Sequence, residues 1–454
     1  MPRASGYVVA VVVAAVGSVL LGFEPLQALA VTIFVGFIAG TLLYWKFRLA
    51  FALGGVATLL AAGVLDLPHL IEFAGLDVIL FLVGMMTVIG FLEERRFFEV
   101  VVETILRGLR PGARSLMVAL MVLAALSAAL VDEVTSILFI AAVTLQITRR
   151  FELNPVPFII MAVFATNIGS SATVVGNPIG VMIALRARLT FPDFLRWATP
   201  IAISGLALAI PLSFVYFRRD MEALGRGIAA GESVVIEVEK ISPRDLLIST
   251  ALFTGTILGL ILHTRIEAVL GLGKNAMLVG VALLAAGFAL LLEGERAREL
   301  VERRVDWWTL AFFLLLFASA GTLRYVGVTG RIAEGMLALT GSGAGTLLVA
   351  ITWSSGFLSA FMDNVLAVAT FIPIIEDLAN IGIGVTYLWW GLLFGGTFMG
   401  NLTMIGSTAN IVSLGVLERQ EGLLIPFGQW LKPGLIVSVP TLALATLLIY
   451  LQIP

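Results

Sequence analysis

Long apolar runs separated by short polar loops dominate the pattern of this chain. Because a helix needs about 20 apolar residues to cross a bilayer, runs of that size predict transmembrane helices. Nine runs predict single spans: 7–22, 28–43, 49–65, 76–92, 198–217, 246–262, 275–292, 307–323 and 433–451. Four further apolar regions are too long for this reading or are interrupted by Gly, Asn, Ser, Thr or Asp: 115–150, 155–187, 344–377 and 385–417.

Composition supports this pattern. Hydrophobic residues make up 59% of the chain and charged residues 13%, and the mean hydropathy is +1.05, outside the range of soluble globular domains. A net charge of -2 provides no basic surface for nucleic acid. The sequence has no cysteine, which excludes disulfides and thiolate metal sites, and two histidines, His69 and His263, are too few for a histidine metal centre. We therefore expect an all-α polytopic membrane protein with no cofactor and no nucleic-acid partner.

Basic residues alternate sharply between the early loops. Loops 23–27 and 66–75 contain none, whereas 1–6, 44–48 and 93–114 contain Arg3, Lys46, Arg48, Arg95, Arg96, Arg107, Arg110 and Arg114. Lysine and arginine accumulate on cytoplasmic loops, so the N-terminus is predicted to lie inside the cytoplasmic (inner) membrane and the C-terminus outside. Region 115–150 starts inside and ends at two arginines that also favour the inside. It is predicted to be a re-entrant hairpin, and 344–377 is predicted to be a second one from the outside.

Acidic residues occupy the middle of both hairpin regions. "VDEVTS" contains Asp132 and Glu133, and "MDNVL" contains Asp363 and Asn364. A carboxylate in the membrane costs about 2.5–3.5 kcal/mol on insertion scales, so it requires a partner. Asp132 and Asp363 fit two compatible roles, capping the second helix of each hairpin and binding a cation. Glu133 is not needed for a cap, and its proximity to Asp132 favours a shared proton or a bound cation.

The two acidic stretches belong to an internal repeat. "DEV" at 132–134 matches "DNV" at 363–365 at an offset of 231, and "TVVGN" at 173–177 matches "TMIGS" at 403–407 at an offset of 230. The threading puts an odd number of crossings between the copies, which predicts opposite orientations. Inverted repeats with broken helices are a recurring plan of secondary transporters. The polar stretches 164–180 and 394–410 supply glycine for turns, and Asn, Ser and Thr as partners for unwound backbone.

The stretch "VDEVTSILFIAAVTLQITRRFELNPVPFIIMAVFATNIGSSATVVGNPIG", with "SAFMDNV" and "GNLTMIGSTANIV", resembles the ion transporter superfamily. The resemblance is to the branch of arsenite permeases and melanosomal P-type proteins, which is related to sodium/proton antiporters and divalent anion/sodium symporters. It spans most of the chain. It implies scaffold and transport domains, a homodimer joined through the scaffold, elevator-type movement, and cations between each hairpin tip and its neighbouring break. Two departures bear on the substrate: Glu133 stands where the branch has asparagine, and "GNPIG" replaces "GDPPN".

This resemblance implies five regions and a set of site residues. The regions are scaffold helices with an amphipathic segment (1–114), transport unit 1 (115–197, with hairpin 115–150 and broken helix 155–187), scaffold helices with a cytoplasmic linker at 218–245 (198–343), transport unit 2 (344–432, with hairpin 344–377 and broken helix 385–417) and a last transmembrane helix (433–454). The nine single spans and the two broken helices give a fold expectation of about 11 transmembrane helices plus two re-entrant hairpins. In unit 1 the implied ligands are Asp132, Glu133 and Thr135, facing Asn167, Ser171, Thr173 and Asn177. In unit 2 they are Asp363 and Asn364, facing Thr397, Asn401, Thr403, Ser407 and Asn410, with Na⁺ expected near Asp132, Asn167, Asp363 and Asn401.

The predicted function is ion-gradient-driven secondary transport and not catalysis. Carboxylates crowd the hairpin tips, and neither the tips nor the polar breaks contain a basic residue, which favours a neutral or cationic cargo. Proton- or sodium-coupled efflux of a small inorganic solute of arsenite type is therefore the first hypothesis. Sodium/proton antiport and sodium-coupled dicarboxylate symport are alternatives, and a channel is the alternative from another class. The expected partners are the small solute, the coupling ion (Na⁺ or H⁺), the lipid bilayer and a second copy of the chain.

Overall fold

The computed structural model describes residues 2–107, 112–230 and 241–453. These residues contain helices and connecting turns and no β-strand, which confirms the all-α prediction for the described part of the chain. The helices of the first half are α1 Pro2–Leu20, α2 Pro25–Leu43, α3 Arg48–Ala61, α4 Leu67–Phe73, α5 Leu76–Glu94, α6 Phe97–Arg107, α7 Ala113–Leu130, α8 Glu133–Arg150, α9 Val156–Ser170, α10 Pro178–Arg186, α11 Phe191–Asp193, α12 Thr199–Tyr216 and α13 Arg218–Ala229. Those of the second half are α14 Pro243–Leu270, α15 Ala276–Glu293, α16 Ala297–Arg304, α17 Trp307–Tyr325, α18 Val328–Thr340, α19 Ala344–Phe361, α20 Asn364–Asn380, α21 Thr386–Phe398, α22 Thr408–Glu421 and α23 Phe427–Tyr450.

Nine helical segments in the described ranges are long and apolar enough to cross a membrane: Pro25–Leu43, Leu76–Glu94, Ala113–Leu130, Phe191–Tyr216, Pro243–Leu270, Ala276–Arg304, Trp307–Tyr325, Ala344–Phe361 and Phe427–Tyr450. Each of the nine runs predicted as a single span coincides with a helix. The two sets of nine differ, however. Helices α1 and α3 are absent from the second set, because the apolar part of α1 is Ala4–Leu20 and α3 has only 14 residues. In their place α7 and α19 meet the length criterion, although they belong to the hairpin regions.

Two of the interrupted regions are helical hairpins. Hairpin 1 consists of α7 and α8 with a turn at residues 131–132, and hairpin 2 consists of α19 and α20 with a turn at 362–363; in each, the two helices pack against each other. An aspartate starts the second helix of both. Asp132 Oδ1 accepts from the backbone N–H groups of Val134 (2.7 Å) and Thr135 (2.8 Å), and Asp363 Oδ1 accepts from that of Val365 (3.0 Å). Both caps supply partners that the first turn of a helix lacks.

The other two interrupted regions are broken helices. Break 1 is residues 171–177 between α9 and α10, and break 2 is residues 399–407 between α21 and α22. Glycine is required in both, because a Cβ on Gly176 would lie 2.1 Å from the Ser170 carbonyl oxygen and one on Gly406 would lie 2.6 Å from that of Gly400. Each helix then restarts at a side-chain cap: Asn177 accepts from Gly180 N (2.7 Å), and Ser407 accepts from Ala409 N (3.2 Å).

The two halves of the chain pack into each other at these elements. Helix α22 packs against α8 and α9, and α10 packs against α20 and α21. Helices α12 and α23 pack against each other and cover α9 and α21 respectively. Around this arrangement, a second group consists of α1 to α3, α5, α14, α15, α17 and α18. It contacts the first group through α5 with α10 and through α17 and α18 with α20. Both hairpin turns and both breaks lie mainly in the interior, although Asp132 and Met362 are half-buried and Ile405 of break 2 is 44% exposed.

Two predicted polar segments are described in part. In the segment 93–114, α6 buries Phe97, Phe98 and Val102 on one face, and the Phe98 ring stacks on Phe139 with centroids 5.5 Å apart. Its residues 108–111 lie outside the described residues. In the predicted linker 218–245, α13 covers the first part, and residues 231–240 lie outside the described residues.

Candidate functional site

Glu133 is an acidic side chain buried in the interior. It is the first residue of α8 and only 2% exposed. Its carboxylate receives three side-chain contacts: Ser170 Oγ at 3.3 Å, Ser407 Oγ at 3.3 Å and Asn364 Nδ2 at 3.4 Å. Hydroxyl bonds to an ionised carboxylate are normally about 2.5–2.7 Å long, so these contacts are loose. No basic side chain lies within 4.0 Å of Glu133 in the described part of the chain.

The two hydroxyl groups beside Glu133 each have a closer acceptor. Ser170 Oγ lies 3.0 Å from the Asn167 carbonyl oxygen, and Ser407 Oγ lies 2.9 Å from Asn167 Oδ1. A hydroxyl has a single proton to donate, so either bond removes a donor from Glu133. A buried carboxylate with so few donors is destabilised in its ionised form unless a proton or a cation joins it.

Asn167 connects the two halves of the chain. Its Nδ2 donates to Asn401 Oδ1 at 2.7 Å and to Asn410 Oδ1 at 2.8 Å, while its Oδ1 accepts from Ser407. Asn410 Nδ2 continues into break 2 and donates to the carbonyl oxygens of Gly400 and Thr403, both at 2.8 Å. Break 1 joins the network through Asn177 Nδ2, which donates to Ser170 Oγ at 2.8 Å. One polar network therefore serves both breaks and the tip of hairpin 1.

The remaining predicted site residues have more local roles. Thr173 and Thr403 join each break to its hairpin by donating to the carbonyl oxygens of Ala129 and Ala360. Asp363 Oδ2 accepts from Thr408 Oγ1 at 2.8 Å, which links hairpin 2 to the start of α22. Ser171 and Thr397 donate to carbonyl oxygens of their own helices, Ile168 at 2.7 Å and Leu393 at 2.8 Å. Thr135 lies in the capped first turn of α8, on the wall of the cavity described next.

A cavity of about 370 Å³ extends from this network to the protein surface. Its inner wall includes Asp132 and Glu133, and its outer wall includes Arg304 and Asp306, both of which are exposed. Arg304 pairs with Glu93 (3.0 Å) and Glu94. Further wall residues come from other helices: Trp45, Arg48, Thr135, Asn177, Thr309, Phe313 and Thr408.

The opposite side of the molecule is held together by an ion-pair cluster. Arg324 at the end of α17 contacts Glu376 (2.5 Å) and Asp377 (3.1 Å) at the end of α20. Thr329 of α18 donates to the same aspartate at 2.5 Å. The cavity beside this cluster measures only about 80 Å³. The described cavity that reaches the network thus lies on the opposite side from this cluster.

Sequence reasoning missed several residues of this arrangement. Ser170 lies three residues after Asn167, hence on the same helix face, and this spacing was the available signal. Thr408 directly follows the repeat motif that ends at Ser407. Arg48 and Arg304 gave no local signal, because an arginine beside an apolar run has the same pattern whether it faces water or a cavity.

The sequence profile described as "Citrate transporter" matches residues 34–395, most of the chain. This chain belongs to the citrate transporter family. That family lies within the ion transporter superfamily, so the resemblance found in the sequence is confirmed. The protein is therefore a membrane transporter.

Relatives of this family member include curated transporters. A protein of Mycobacterium bovis named "Uncharacterized transporter" is 34% identical over 383 residues, covering 83% of this chain and 86% of its own length. The human P protein is 26% identical over 462 residues, covering 85% of this chain and 55% of its own length. The crystal structure of the Alcanivorax borkumensis YdaH transporter matches with a TM-score of 0.57, 18% identity and 88% coverage of both chains, a likeness of fold alone.

Proposed function

We propose that this chain is an ion-gradient-driven secondary active transporter in which Glu133 binds the coupling cation, H⁺ or Na⁺. The observation that carries the proposal is the burial of Glu133 among neutral donors that each have another acceptor or a long contact. Protonation converts the carboxylate of Glu133 into a hydrogen-bond donor. A sodium ion would instead be coordinated by the carboxylate together with neighbouring amide and hydroxyl oxygens. Both changes are reversible, as coupling requires.

The one-sided cavity supports alternating access. The basic residues on its outer wall lie in the loops that the positive-inside rule assigns to the cytoplasm, which favours an inward-open arrangement. On the other side, the ion pairs of Arg324 with Glu376 and Asp377 connect α17 to α20. These ion pairs would have to break for the site to open to the outside. We infer that hairpins 1 and 2 are re-entrant and that they move with both broken helices as an inverted-repeat transport domain. The movement is of elevator type against a scaffold that also joins a homodimer, with the N-terminus inside and the C-terminus outside.

Two cargo classes have support. Amide and hydroxyl groups around one acid suit an uncharged oxyacid of arsenite type, carried outward in exchange for protons or sodium. The family description names citrate, which favours a carboxylate anion carried together with a cation. With no further cargo, the same acid would support sodium/proton antiport.

Reconstitution in proteoliposomes tests the proposal. We expect an imposed proton or sodium gradient to drive accumulation of arsenite or citrate above its equilibrium concentration, which a channel cannot do. Glu133→Gln should abolish this accumulation, whereas Glu302→Gln, at a side chain 59% exposed on α16, should leave it unchanged. Equal gradient dependence in wild type and Glu133→Gln would refute the coupling role.

A further inference from the structure

Arg48 is a buried guanidinium on the wall of the cavity that contains Glu133. It is the first residue of α3 and only 8% exposed. No carboxylate oxygen lies within 4.0 Å of it among the described residues. Its partners are Thr309 Oγ1, which accepts from Nη2 at 2.6 Å, and the rings of Trp45 and Phe312, whose centroids lie 4.5 and 5.1 Å from Cζ.

These contacts leave most of the hydrogen-bonding capacity of Arg48 unused. A guanidinium has five N–H donors in a planar fork, and one bond to a neutral hydroxyl uses one of them. Thr309 donates its own proton to Asp306 Oδ2 at 2.5 Å, so this carboxylate reaches Arg48 only through the threonine. The aromatic rings attract the positive charge but accept no conventional hydrogen bond. A fork with free donors on a cavity wall matches a carboxylate or another oxyanion.

Arg304 on the same wall provides the contrast. Its Nε donates to Glu94 Oε1 at 2.7 Å and its Nη1 donates to Glu93 Oε2 at 3.0 Å, so two carboxylates already occupy its fork. Of the two arginines on this wall, Arg48 is the one available to a ligand.

Other parts of the wall also suit an anion. The cavity reaches the first turns of α8, α10 and α22 at Thr135, Pro178 and Thr408, and helix N-termini carry partial positive charge. The wall also carries carboxylates at Glu93, Asp132, Glu133 and Asp306. Arg304 pairs with Glu93, Asp132 accepts two backbone N–H groups, and Asp306 accepts from the backbone N–H and the hydroxyl of Thr309. Glu133 has only loose contacts, so its charge is the one that the coupling cation must cancel before an anion enters.

We propose that Arg48 binds the anionic group of a small carboxylate or oxyanion cargo and thereby selects an anion that travels with the coupling cation. The proposal rests on the coupling role of Glu133 and extends it to the charge of the cargo. Neutral arsenite would gain little from the guanidinium. The hypothesis of a neutral or cationic cargo depends on the absence of basic residues from the tips and breaks, whereas Arg48 begins α3, far from both in sequence.

Ligand-induced thermal stabilisation of the purified full chain tests this assignment with citrate, succinate, phosphate and arsenite, each with and without sodium. We expect at least one of the three anions to stabilise the wild type more strongly when sodium is present or the pH is lowered. Arg48→Gln should lower the affinity for that anion about 10- to 100-fold, the range expected for loss of a hydrogen bond to a charged group. Arg48→Lys should retain part of the affinity, because it keeps the charge and loses the fork.

Arg304→Gln is the matched control, since it removes the same charge from the same wall. A direct contact predicts a much larger loss in Arg48→Gln than in Arg304→Gln, whereas a long-range electrostatic effect predicts similar losses. Similar losses in the two variants, unchanged anion affinity in Arg48→Gln, or stabilisation of the wild type by arsenite but by none of the anions would each overturn the proposal. If Arg48→Gln does not fold, the loss of anion affinity in Arg48→Lys is compared with that in Arg304→Gln instead. The coupling role of Glu133 fails separately, through gradient dependence that persists in Glu133→Gln.

Discussion

Hairpins 1 and 2 turn at equivalent positions, yet Glu133 follows the capping aspartate in one and Asn364 follows it in the other. The backbone arrangement is duplicated. Each hairpin tip has an aspartate that caps the second helix, and each break has a glycine packed against the backbone of a residue at or just before the break. In both halves a threonine hydroxyl joins the break to its hairpin. The charge is not duplicated, because Asn364 donates to Glu133 and supplies no second acid at its position. The halves thus share a framework, and Glu133 of the first half receives side-chain contacts from both.

The largest effect expected from this asymmetry is the loss of coupling in Glu133→Gln. Glutamine keeps the shape of the side chain, but it cannot be protonated and has no negative charge with which to bind a cation. We expect gradient-driven uptake to fall at least about 100-fold, which corresponds to roughly 2.7 kcal/mol at about 1.36 kcal/mol per tenfold change in rate. Initial rates in proteoliposomes measure it. A loss of less than about threefold would show that the halves do not depend on this acid.

Exchanging the two side chains tests whether the position or only the presence of the acid matters. Glu133→Asn alone should be as inactive as Glu133→Gln. Adding Asn364→Glu should restore about tenfold, or roughly 1.4 kcal/mol, because the two side chains already meet at 3.4 Å. The same uptake assay reads the result. No recovery in the double variant would place the coupling function in hairpin 1 itself and not at the shared boundary.

The helices that precede the two breaks, α9 and α21, differ in the same sense at the repeat-related residues Asn167 and Thr397. Asn167 bonds to three side chains of the second half, whereas Thr397 bonds only to its own helix. Asn167→Ala should lower the free energy of unfolding by about 3 kcal/mol and Thr397→Ala by about 1 kcal/mol or less. Denaturant unfolding in detergent measures both. Equal losses would contradict the role of Asn167 as the connection between halves.

The smallest effects are expected where the halves are alike. Thr173→Val and Thr403→Val each remove one bond from a hydroxyl to a hairpin carbonyl oxygen. Both variants should lose about 1 kcal/mol of stability, and the two values should agree closely. The same unfolding measurement applies. A difference above about 1 kcal/mol between the two losses would show that the equivalent hydrogen bonds do not stabilise the two halves equally.

Several features of the site were predictable because they depend on neighbours in sequence. Asp132 and Asp363 stand directly before helical runs, so capping could be inferred from the residue type and its place. The glycine and polar content of both breaks identified them in the same way, since unwound backbone requires such residues. Burial of Glu133 followed from its position within an apolar run.

Other features could not be found from local patterns. The offset of 230 residues pairs Asn167 with Thr397 and Asn401 with Ser171, yet in the structure the two asparagines bond to each other. The sequence therefore suggested separate clusters in the two units, and packing joins their polar groups into one network. Arg48 was read only as a marker of the cytoplasmic side.

The sequence by itself determined the apolar helices, the two capped hairpins, the two breaks and the family. These depend on segment length, on hydropathy and on hydrogen-bond needs that residues a few positions apart satisfy. The tertiary structure alone decided that Asn167 meets Asn401, that Asn364 and Ser407 contact Glu133, and that Arg48 shares a cavity with that acid. The physical reason is that electrostatic and hydrogen-bond energies depend on distances of a few ångströms, and helix packing brings side chains from remote parts of the chain to those distances.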